Sequence, residues 1–254
     1  MTAMTRTAVV VGGSGDIGSA AARRLVGSGV GRMVLTYSAD RAAAEEAAGA
    51  VRELGCDVTT LQLDATDDGS LQGLATAITQ ELSGGVDVLV YAAAVRTLAS
   101  ALEHDDGDWD RSIAVGVKGF LRTIEVVTPA MPEGGRIVAI SGLSGLSAYS
   151  TQHVRMGVTK AALQHAVRYV ALELAPRHIT ANTVVFGAVR TAGVAADLDA
   201  SQYREFIDGA ADRIPMGRVP EPDDVVGLVG FLATTEAGWI TGQVLVVDGG
   251  ETVR

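Results

Sequence analysis

His153 and Lys160 lie seven residues apart in a stretch whose apolar pattern predicts a helix over about 152–175. Seven residues make about two helical turns, so both side chains share one face. Histidine donates or accepts hydrogen bonds and titrates near pH ~6.5, and a lysine among apolar residues needs a partner. Tyr149 is a second donor, four residues before His153. The simpler interpretations are that His153 is merely exposed and that Tyr149 packs against the protein. Met156, which lies between His153 and Lys160, would then simply fill space in the core.

A glycine-rich segment near the N-terminus fits two dinucleotide fingerprints. Gly13, Gly15 and Gly18 match G-x-G-x-x-G. Gly12 and Gly18 match the ends of G-x-x-x-G-x-G, but Asp16 stands at the middle glycine. The first fingerprint also wants an acid at the end of the second strand, and that strand ends in VLTY. The strand–loop–helix context alone leaves both registers open.

Short apolar runs alternate with longer helical patterns along the chain. The seven predicted strands are TAVVV, RMVLTY, VTTLQL, VDVLVYAA, GRIVAI, ITANTVV and GQVLVV. Continuous apolar strands are buried on both faces, which predicts a parallel sheet covered by helices. We therefore expect a single α/β domain over 1–254, with a doubly wound Rossmann-type fold and ligands at the carboxyl ends of the strands. The stretch 190–220 breaks the alternation and predicts a substrate lid.

Composition excludes several classes of function. The chain has 254 residues, a net charge of −10 and one cysteine, Cys56. An acidic chain of this kind has no footprint for nucleic acid or anionic membrane. The four histidines, one of them His104, lack zinc-site spacing, so no metal is expected. There is no signal-like or membrane-spanning run, and we expect a soluble cytoplasmic protein.

The order of several further motifs resembles the short-chain dehydrogenase/reductase superfamily over essentially the whole chain. These motifs are LQLDATD, VLVYAAAV, VGVKGF, GRIVAIS, GVTKAAL and ITGQVLVVDGG. The resemblance implies NAD(P)(H) as cofactor, a small-molecule substrate and a homotetramer or homodimer. It also selects the register from Gly12 to Gly18, in which Asp16 is a departure. Asp16 is expected either to cap the first helix and point to solvent or to weaken cofactor binding.

The resemblance also implies a set of cofactor contacts. They are Gly12, Ser14, Gly15, Asp16, Ile17 and Gly18 in the glycine loop; Tyr37, Ser38 and Arg41 after the second strand; Asp64 and Ala65 after the third; Ala92, Ala93 and Ala94 after the fourth; Val115 in the long helix; Lys160 at the ribose; and Gly187, Val189 and Thr191 at the nicotinamide.

The preferred cofactor follows from the end of the second strand. Relatives that prefer NAD carry an acid where Tyr37 stands. Its absence leaves room for a 2′-phosphate, with Ser38 and Arg41 near enough to bind one, so NADP(H) is favoured over NAD(H). Gly15, where many NADP-binding relatives carry a basic residue, weakens this preference, and Arg41 can equally be a solvated residue at a helix start.

The usual catalytic groups of the superfamily are altered. Aligning GVTKAAL on its lysine, Lys160, puts Met156 at the tyrosine that donates a proton, and a thioether cannot donate one. Gly142 stands at the serine that orients the carbonyl, and Gly116 at the asparagine that holds a water. Ser141 would face the opposite side of the strand, whereas Ser144 in the following loop can reach back.

A different branch fits the spacing better. Enoyl-acyl carrier protein reductases place the donor seven residues before the lysine, and HVRMGVTK has that spacing with His153 as the donor and Tyr149 in reserve. The first hypothesis is an NADP(H)-dependent reductase of an activated C=C or C=O, on a carrier-protein thioester or a natural-product intermediate. The second is a nucleotide-binding pseudoenzyme or a non-redox enzyme, such as a cyclase or dehydratase, that reuses the pocket.

Overall fold

The computed structural model describes residues 5–96, 98–102, 105–196 and 198–253. His104 lies outside these ranges. Within them, seven strands form one sheet in the order β3-β2-β1-β4-β5-β6-β7, and every pair is parallel. The strands are β1 Arg6–Val11, β2 Val30–Tyr37, β3 Asp57–Gln62, β4 Val88–Tyr91, β5 Arg136–Gly142, β6 Thr180–Phe186 and β7 Val244–Val246. The predicted seven-stranded, doubly wound fold is confirmed.

Helices cover both faces of the sheet. They are α1 Asp16–Val26, α2 Arg41–Arg52, α3 Asp68–Glu81, α4 Asp106–Ile113, α5 Gly119–Val127, α6 Val154–Leu174, α7 Ala192–Ala196, α8 Ala200–Arg213, α9 Pro222–Val225 and α10 Gly227–Leu232. No helix in the described ranges is long and apolar enough to cross a membrane.

The central strand explains why the core has two layers. Ala8 and Val10 of β1 belong to the apolar cluster that packs on α1, α2 and α10. Val9 and Val11 belong to the cluster that packs on α3, α5 and α6. All four are at most 2% exposed, so both faces of the strand are buried, and each large apolar side chain contributes roughly 1.5–3 kcal/mol of burial free energy.

The sheet reverses its strand order between β1 and β4, which is where ligands bind in folds of this type. Gly12 follows β1 with a φ of +78°, and a Cβ there would lie 2.8 Å from the amide nitrogen of Ala93 after β4. A Cβ on Gly18 would lie 2.1 Å from the carbonyl oxygen of Gly12. A Cβ on Gly15 would meet nothing closer than 3.7 Å. The backbone therefore needs glycine at both ends of the Gly12–Gly18 register.

The predicted long helix near 108–129 is interrupted by a π-helical turn. This turn, Ala114–Lys118, joins α4 to α5. The buried hydroxyl of Tyr91 donates to the carbonyl oxygen of Val115 within it, at 2.6 Å. Gly119 makes room for this contact, because a Cβ there would lie 2.8 Å from the same hydroxyl. The aromatic residue that ends β4 thus fixes the turn.

The predicted lid segment forms its own small layer. It contains α7 and α8, and Ile207, Ala210, Ile214 and Val219 form a separate apolar cluster. Arg190 at its start donates its amide to the carbonyl oxygen of Pro220 at its end, at 2.9 Å. The two ends of the segment are therefore hydrogen-bonded to each other.

Gly12→Ala and Gly15→Ala test which glycine register the fold uses. Gly12→Ala should lower the free energy of unfolding by roughly 2–4 kcal/mol, through a strained φ and a backbone clash. Gly15→Ala should cost less than about 1 kcal/mol, since alanine is merely a poorer N-cap than glycine. Urea unfolding at one protein concentration measures both, and equal losses would contradict the Gly12–Gly18 register.

Candidate active site

The N-terminus of α6 carries the predicted donors. His153 is the residue before the helix, and its backbone pairs in a β-bridge with Ala99 after β4. The amide of Gly157 donates to the carbonyl oxygen of His153 at 2.7 Å. The rings of Tyr149 and His153 lie 5.2 Å apart between centroids and are tilted by 40°. The structure therefore brings these two candidates together.

The imidazole of His153 is neutral at physiological pH. Burial lowers its pKa below 6.5, and the positive charges of Arg96 and Arg213 lower it further. Its Nδ1 atom is buried and has no hydrogen-bond partner within the described chain. A buried ring nitrogen without a partner costs free energy, so a polar group of a ligand would stabilise the site.

The hydroxyl of Tyr149 is also held neutral. Burial raises its pKa above 10, and the charge of Glu251 raises it further, whereas Arg213 opposes the shift. Tyr149 is therefore a hydrogen-bond donor across the physiological pH range.

Lys160 lies two turns further along α6 and points at the end of β5. Its Nζ donates to the carbonyl oxygen of Ile140 at 3.2 Å. Part of the side chain touches solvent, but protein surrounds the ammonium group, and this burial lowers its pKa from 10.5 to about 8. Within the described ranges, no carboxylate pairs with it in a salt bridge and no charge shifts its pKa.

Ser144, in the loop after β5, lies close to the serine position that Gly142 occupies. A Cβ on Gly142 would lie 3.7 Å from the hydroxyl of Ser144, so Ser144 does reach back toward this place. Gly157 permits this, because a Cβ there would lie 2.8 Å from the carbonyl oxygen of Ser144. Ser141 is buried instead and accepts a hydrogen bond from Gln164 at 3.0 Å.

The altered asparagine position cannot hold a side chain in this structure. A Cβ on Gly116 would lie 2.3 Å from the methyl group of Thr159 on α6. Thr159 is buried, and its hydroxyl has no hydrogen-bond partner within the described residues. Met156 on the same helix is half-buried.

Asp16 does not cap the first helix, so that expectation is wrong. The N-cap of α1 is Gly15, and no side chain caps it. Asp16 is the first residue of the helix, where an acid favours the helix dipole. Its Oδ2 accepts a hydrogen bond from the amide of Ala192 at 2.8 Å. The carboxylate therefore joins the glycine loop to the start of the predicted lid segment instead of pointing to solvent.

Two further hydrogen bonds beside the predicted cofactor cleft are donated by backbone amides. The amide of Gly12 donates to Thr36 Oγ1 at 3.2 Å, and the amide of Ala92 donates to the carbonyl oxygen of Val11 at 2.8 Å. Ser14 and Ile17 are half-buried beside them. The remaining predicted contacts near β4 are Ala93, which is half-buried, and Ala94, which is exposed.

The end of β2 has a polar, exposed rim. Tyr37 is buried in the core, whereas Ser38 and Arg41 are exposed. The side chain of Asp40 accepts from the amide of Ala43 and so caps α2. The rim therefore exposes Arg41 and Ser38 beside this capping carboxylate.

Asp64 after β3 is held in a local turn. Its Oδ1 accepts from both the amide and the hydroxyl of Thr66, at 2.8 and 2.7 Å. These bonds lower the pKa of its carboxyl group below 3.8. Ala65, the next residue, is buried under the long helix.

The predicted nicotinamide segment follows β6. Val189 is buried, and the hydroxyl of Thr191 accepts from the amide of Val194 at 3.3 Å. A Cβ on Gly187 would lie 2.4 Å from a carboxylate oxygen of Glu251. Glu251 was not predicted from the sequence, because it follows VVDGG at no spacing that identifies a site residue.

Two cavities open beside the loop between β5 and α6. The larger has a volume of about 710 Å³ and is lined by Tyr149, Arg213 and Glu251 among others. The smaller has about 420 Å³ and is lined by His153 and Ser144 among others. Leu146 and Ser147 line both, so the two candidate donors face adjoining spaces. No metal-binding cluster of acidic, histidine and cysteine side chains occurs in the described part of the chain.

Comparisons with known proteins agree with the fold. A family model described as enoyl-(acyl carrier protein) reductase matches residues 12–252. The 3-oxoacyl-[acyl-carrier-protein] reductase FabG of Aggregatibacter actinomycetemcomitans is 33% identical over 97% of this chain and 99% of its own length. The 1-cyclohexenylcarbonyl-CoA reductase of Streptomyces collinus is 30% identical over 98% of this chain and 87% of its own. The structure of the angucycline C-6 ketoreductase LanV with bound NADP superposes with a TM-score of 0.88 at 28% identity, over 98% of this chain and 96% of that one.

The free energy of unfolding of the ligand-free protein should depend on pH, because Lys160 carries a buried ammonium group. Below pH 8 the folded and unfolded chains both bind this proton, so the full cost of burying the charge is present. As pH rises from about 8 to 10.5, the folded chain loses the proton first and the cost disappears. Lys160→Met should therefore be more stable than the parent at pH 7, by up to roughly 3 kcal/mol. Urea unfolding of both proteins from pH 7 to 10.5 measures this gain, and a gain that does not shrink with pH would mean a hydrated ammonium.

Proposed function

Because the chain belongs to the short-chain dehydrogenase/reductase family, we propose that it is an NADP(H)-dependent reductase of an activated C=C or C=O bond. The substrate class is a carrier-protein thioester or a natural-product intermediate. The named relatives are reductases, and the family model carries the description of an enoyl reductase.

The observation that carries this proposal is the enclosed ammonium of Lys160. It has the carbonyl oxygen of Ile140 as its acceptor, and burial alone lowers its pKa. A buried cation with remaining donors needs further acceptors. Ribose hydroxyls at the switch point of the sheet would supply them, and the close backbone approach of Gly12 to Ala93 leaves a groove without side chains for a dinucleotide. The residues therefore fit this cofactor.

NADP(H), when bound, supplies a hydride from its nicotinamide ring. The chain's own task is to stabilise the negative charge that develops on the substrate oxygen. His153 is neutral and can donate from a ring N–H, and Tyr149 is a neutral phenol beside it. A preorganised donor of this kind is worth about 10²–10³ in rate. Ser144 can orient the same oxygen from the loop near Gly142.

The exposed rim of β2 supports NADP(H) over NAD(H). Tyr37 is buried where an acid would hold the ribose, and the carboxylate of Asp40 is engaged as a helix cap. Arg41 and Ser38 are then the nearby groups that could bind a 2′-phosphate, and a guanidinium suits phosphate geometry. LanV, a structural relative, is described with bound NADP.

The altered proton donors support an enoyl substrate. Met156 stands where a carbonyl reductase would protonate an alkoxide, and a thioether has no proton to give. Reduction of a conjugated C=C bond needs mainly a donor to the carbonyl oxygen, which His153 can be. The name of the S. collinus relative contains such a conjugated thioester.

Asp16 favours the second candidate, a nucleotide-binding protein or non-redox enzyme that reuses the pocket. Its carboxylate lies between the glycine loop and the lid, where a pyrophosphate would pass. Negative charge there opposes a dinucleotide.

An oligomer is supported by exposed apolar side chains on two adjacent helices. Leu121 of α5 and Val158, Tyr169 and Leu172 of α6 are all exposed. Burial of such a face against a second copy is favourable, which agrees with the expected homodimer or homotetramer.

Substitution of His153 tests the proposed chemistry. His153→Phe should lower kcat for NADPH-dependent reduction of crotonyl-CoA about 10²–10³-fold by removing one oxyanion donor. His153→Tyr should keep most of the rate, because a phenol also donates. Lys160→Ala should instead raise the Kd of NADPH. Kinetics and nicotinamide fluorescence titrations measure the two effects separately.

Simple ketones such as cyclohexanone are the control substrates. They should turn over 10²–10⁴-fold more slowly than in relatives with a general acid. Full activity of His153→Phe would contradict the proposed enoyl mechanism. Binding of NADPH by the parent protein without any turnover would support the non-redox candidate instead.

Asp16→Asn and Asp16→Ala separate the charge from the hydrogen bond. Asparagine keeps an acceptor for the amide of Ala192 but removes the negative charge, so NADPH should bind roughly 3- to 10-fold more tightly at low salt. The gain should shrink at high salt. If only Asp16→Ala changes the Kd, the bond to the lid matters and the charge does not.

A further inference from the structure

The larger cavity is bounded by three parts of the chain that are far apart in sequence. They are the loop after β5, the end of α8 and the turn after β7. Its volume of about 710 Å³ is enough for a small organic molecule. Much of its wall is apolar, from Leu143, Leu146 and Val246.

Glu251 is fixed at one end of this cavity by its own turn. The carboxylate of Asp248 accepts from the amides of Gly250 and Thr252, at 2.9 and 2.8 Å, on either side of Glu251. The side chain of Glu251 is only 14% exposed. Its Oε1 accepts from Arg213 Nε at 3.3 Å.

The second oxygen of this carboxylate is not satisfied. Oε2 of Glu251 is buried and has no hydrogen-bond partner within the described residues. It lies where a Cβ on Gly187 would be, at 2.4 Å, so the absence of a side chain there makes room for it. A buried anionic oxygen without a donor costs free energy, and a ligand with a donor would recover this cost.

The charges around the cavity select the kind of donor. Glu251 is negative, and its cation, Arg213, contacts only Oε1. Tyr149 is a neutral phenol here. A hydroxyl or an ammonium group would therefore be favoured at Oε2, whereas a carboxylate or phosphate would be repelled.

We propose that this cavity, which shares Leu146 and Ser147 with the smaller cavity beside His153, is the substrate pocket and that Glu251 determines specificity by accepting a hydrogen bond from a hydroxyl or protonated amine of the substrate. The inference rests on the proposed function, since it places the substrate beside Gly187 of the predicted nicotinamide segment. The apolar wall takes the carbon skeleton, and the donor group lies at its distal end.

Four probes of one shape test this specificity. They are cinnamaldehyde and its 4-hydroxy, 4-(dimethylaminomethyl) and 4-carboxy derivatives, in which a tertiary amine avoids imine formation. Calorimetry measures their Kd with the protein alone and with the protein saturated with NADP⁺. The hydroxy and amino compounds should bind roughly 10- to 100-fold more tightly than the parent compound, as expected for a hydrogen bond to a charged group. The carboxy compound should bind more weakly.

Glu251→Gln should remove the preference for the amine and the penalty for the carboxylate. Glu133→Gln is the matched control, because its carboxylate is 76% exposed, and it should behave as the parent. Arg213→Gln leaves Glu251 without its cation and should increase the preference for the amine. This second variant keeps the proposal testable if Glu251→Gln does not fold. Circular dichroism checks the fold of each variant.

A preference for the amine that Glu251→Gln removes, or for the hydroxy compound that Glu251→Leu removes, supports the proposal, and the better of the two compounds identifies the group. Equal affinities, no measurable binding of both donor compounds, an amine preference unchanged in Glu251→Gln, or a hydroxy preference unchanged in Glu251→Leu overturns it. NADPH oxidation is recorded separately: binding preference without turnover refutes the proposed reduction alone, and turnover without preference refutes this inference alone.

Discussion

The close approach of two backbones at the centre of the sheet constrains the rest of the structure. The residue after β1, Gly12, packs its Cα against the amide of Ala93 after β4. No side chain fits between them, so main chain lines this part of the sheet edge. The glycine at 18 follows from the same constraint, because a Cβ there would lie 2.1 Å from the carbonyl oxygen of Gly12. The loops that follow the strands meet at this edge because the carboxyl ends of parallel strands lie together.

Several departures from the family pattern occur as matched pairs. Tyr91 fills the space that Gly119 leaves and holds the π-helical turn through Val115. Thr159 fills the space that Gly116 leaves on the facing helix. Complementary volumes of this kind keep packing density in a core. A larger residue at either glycine would therefore have to displace its neighbour.

The fold could be predicted from the sequence because it depends on local patterns. Apolar runs and helical periodicity specify seven strands in order, and the helix predicted over about 152–175 agrees with α6, at whose N-cap His153 lies. The partner of Asp16 could not be predicted, because Ala192 is 176 residues away along the chain. A helix cap was the nearest local explanation and it was wrong. Glu251 was missed for the same reason: its relation to Gly187 and Arg213 depends on how the chain end returns to the sheet.

The two incompletely paired charges of the site have opposite signs and different surroundings. Lys160 donates to a backbone carbonyl at the end of β5, next to the groove. Glu251 shares one oxygen with Arg213, and its other oxygen is buried without a donor among the described residues. A cation beside the end of β5 would suit a ligand with acceptor groups, and the carboxylate would suit a ligand with a donor group. Because each charge is costly to bury alone, a ligand bound at either one would stabilise the folded protein.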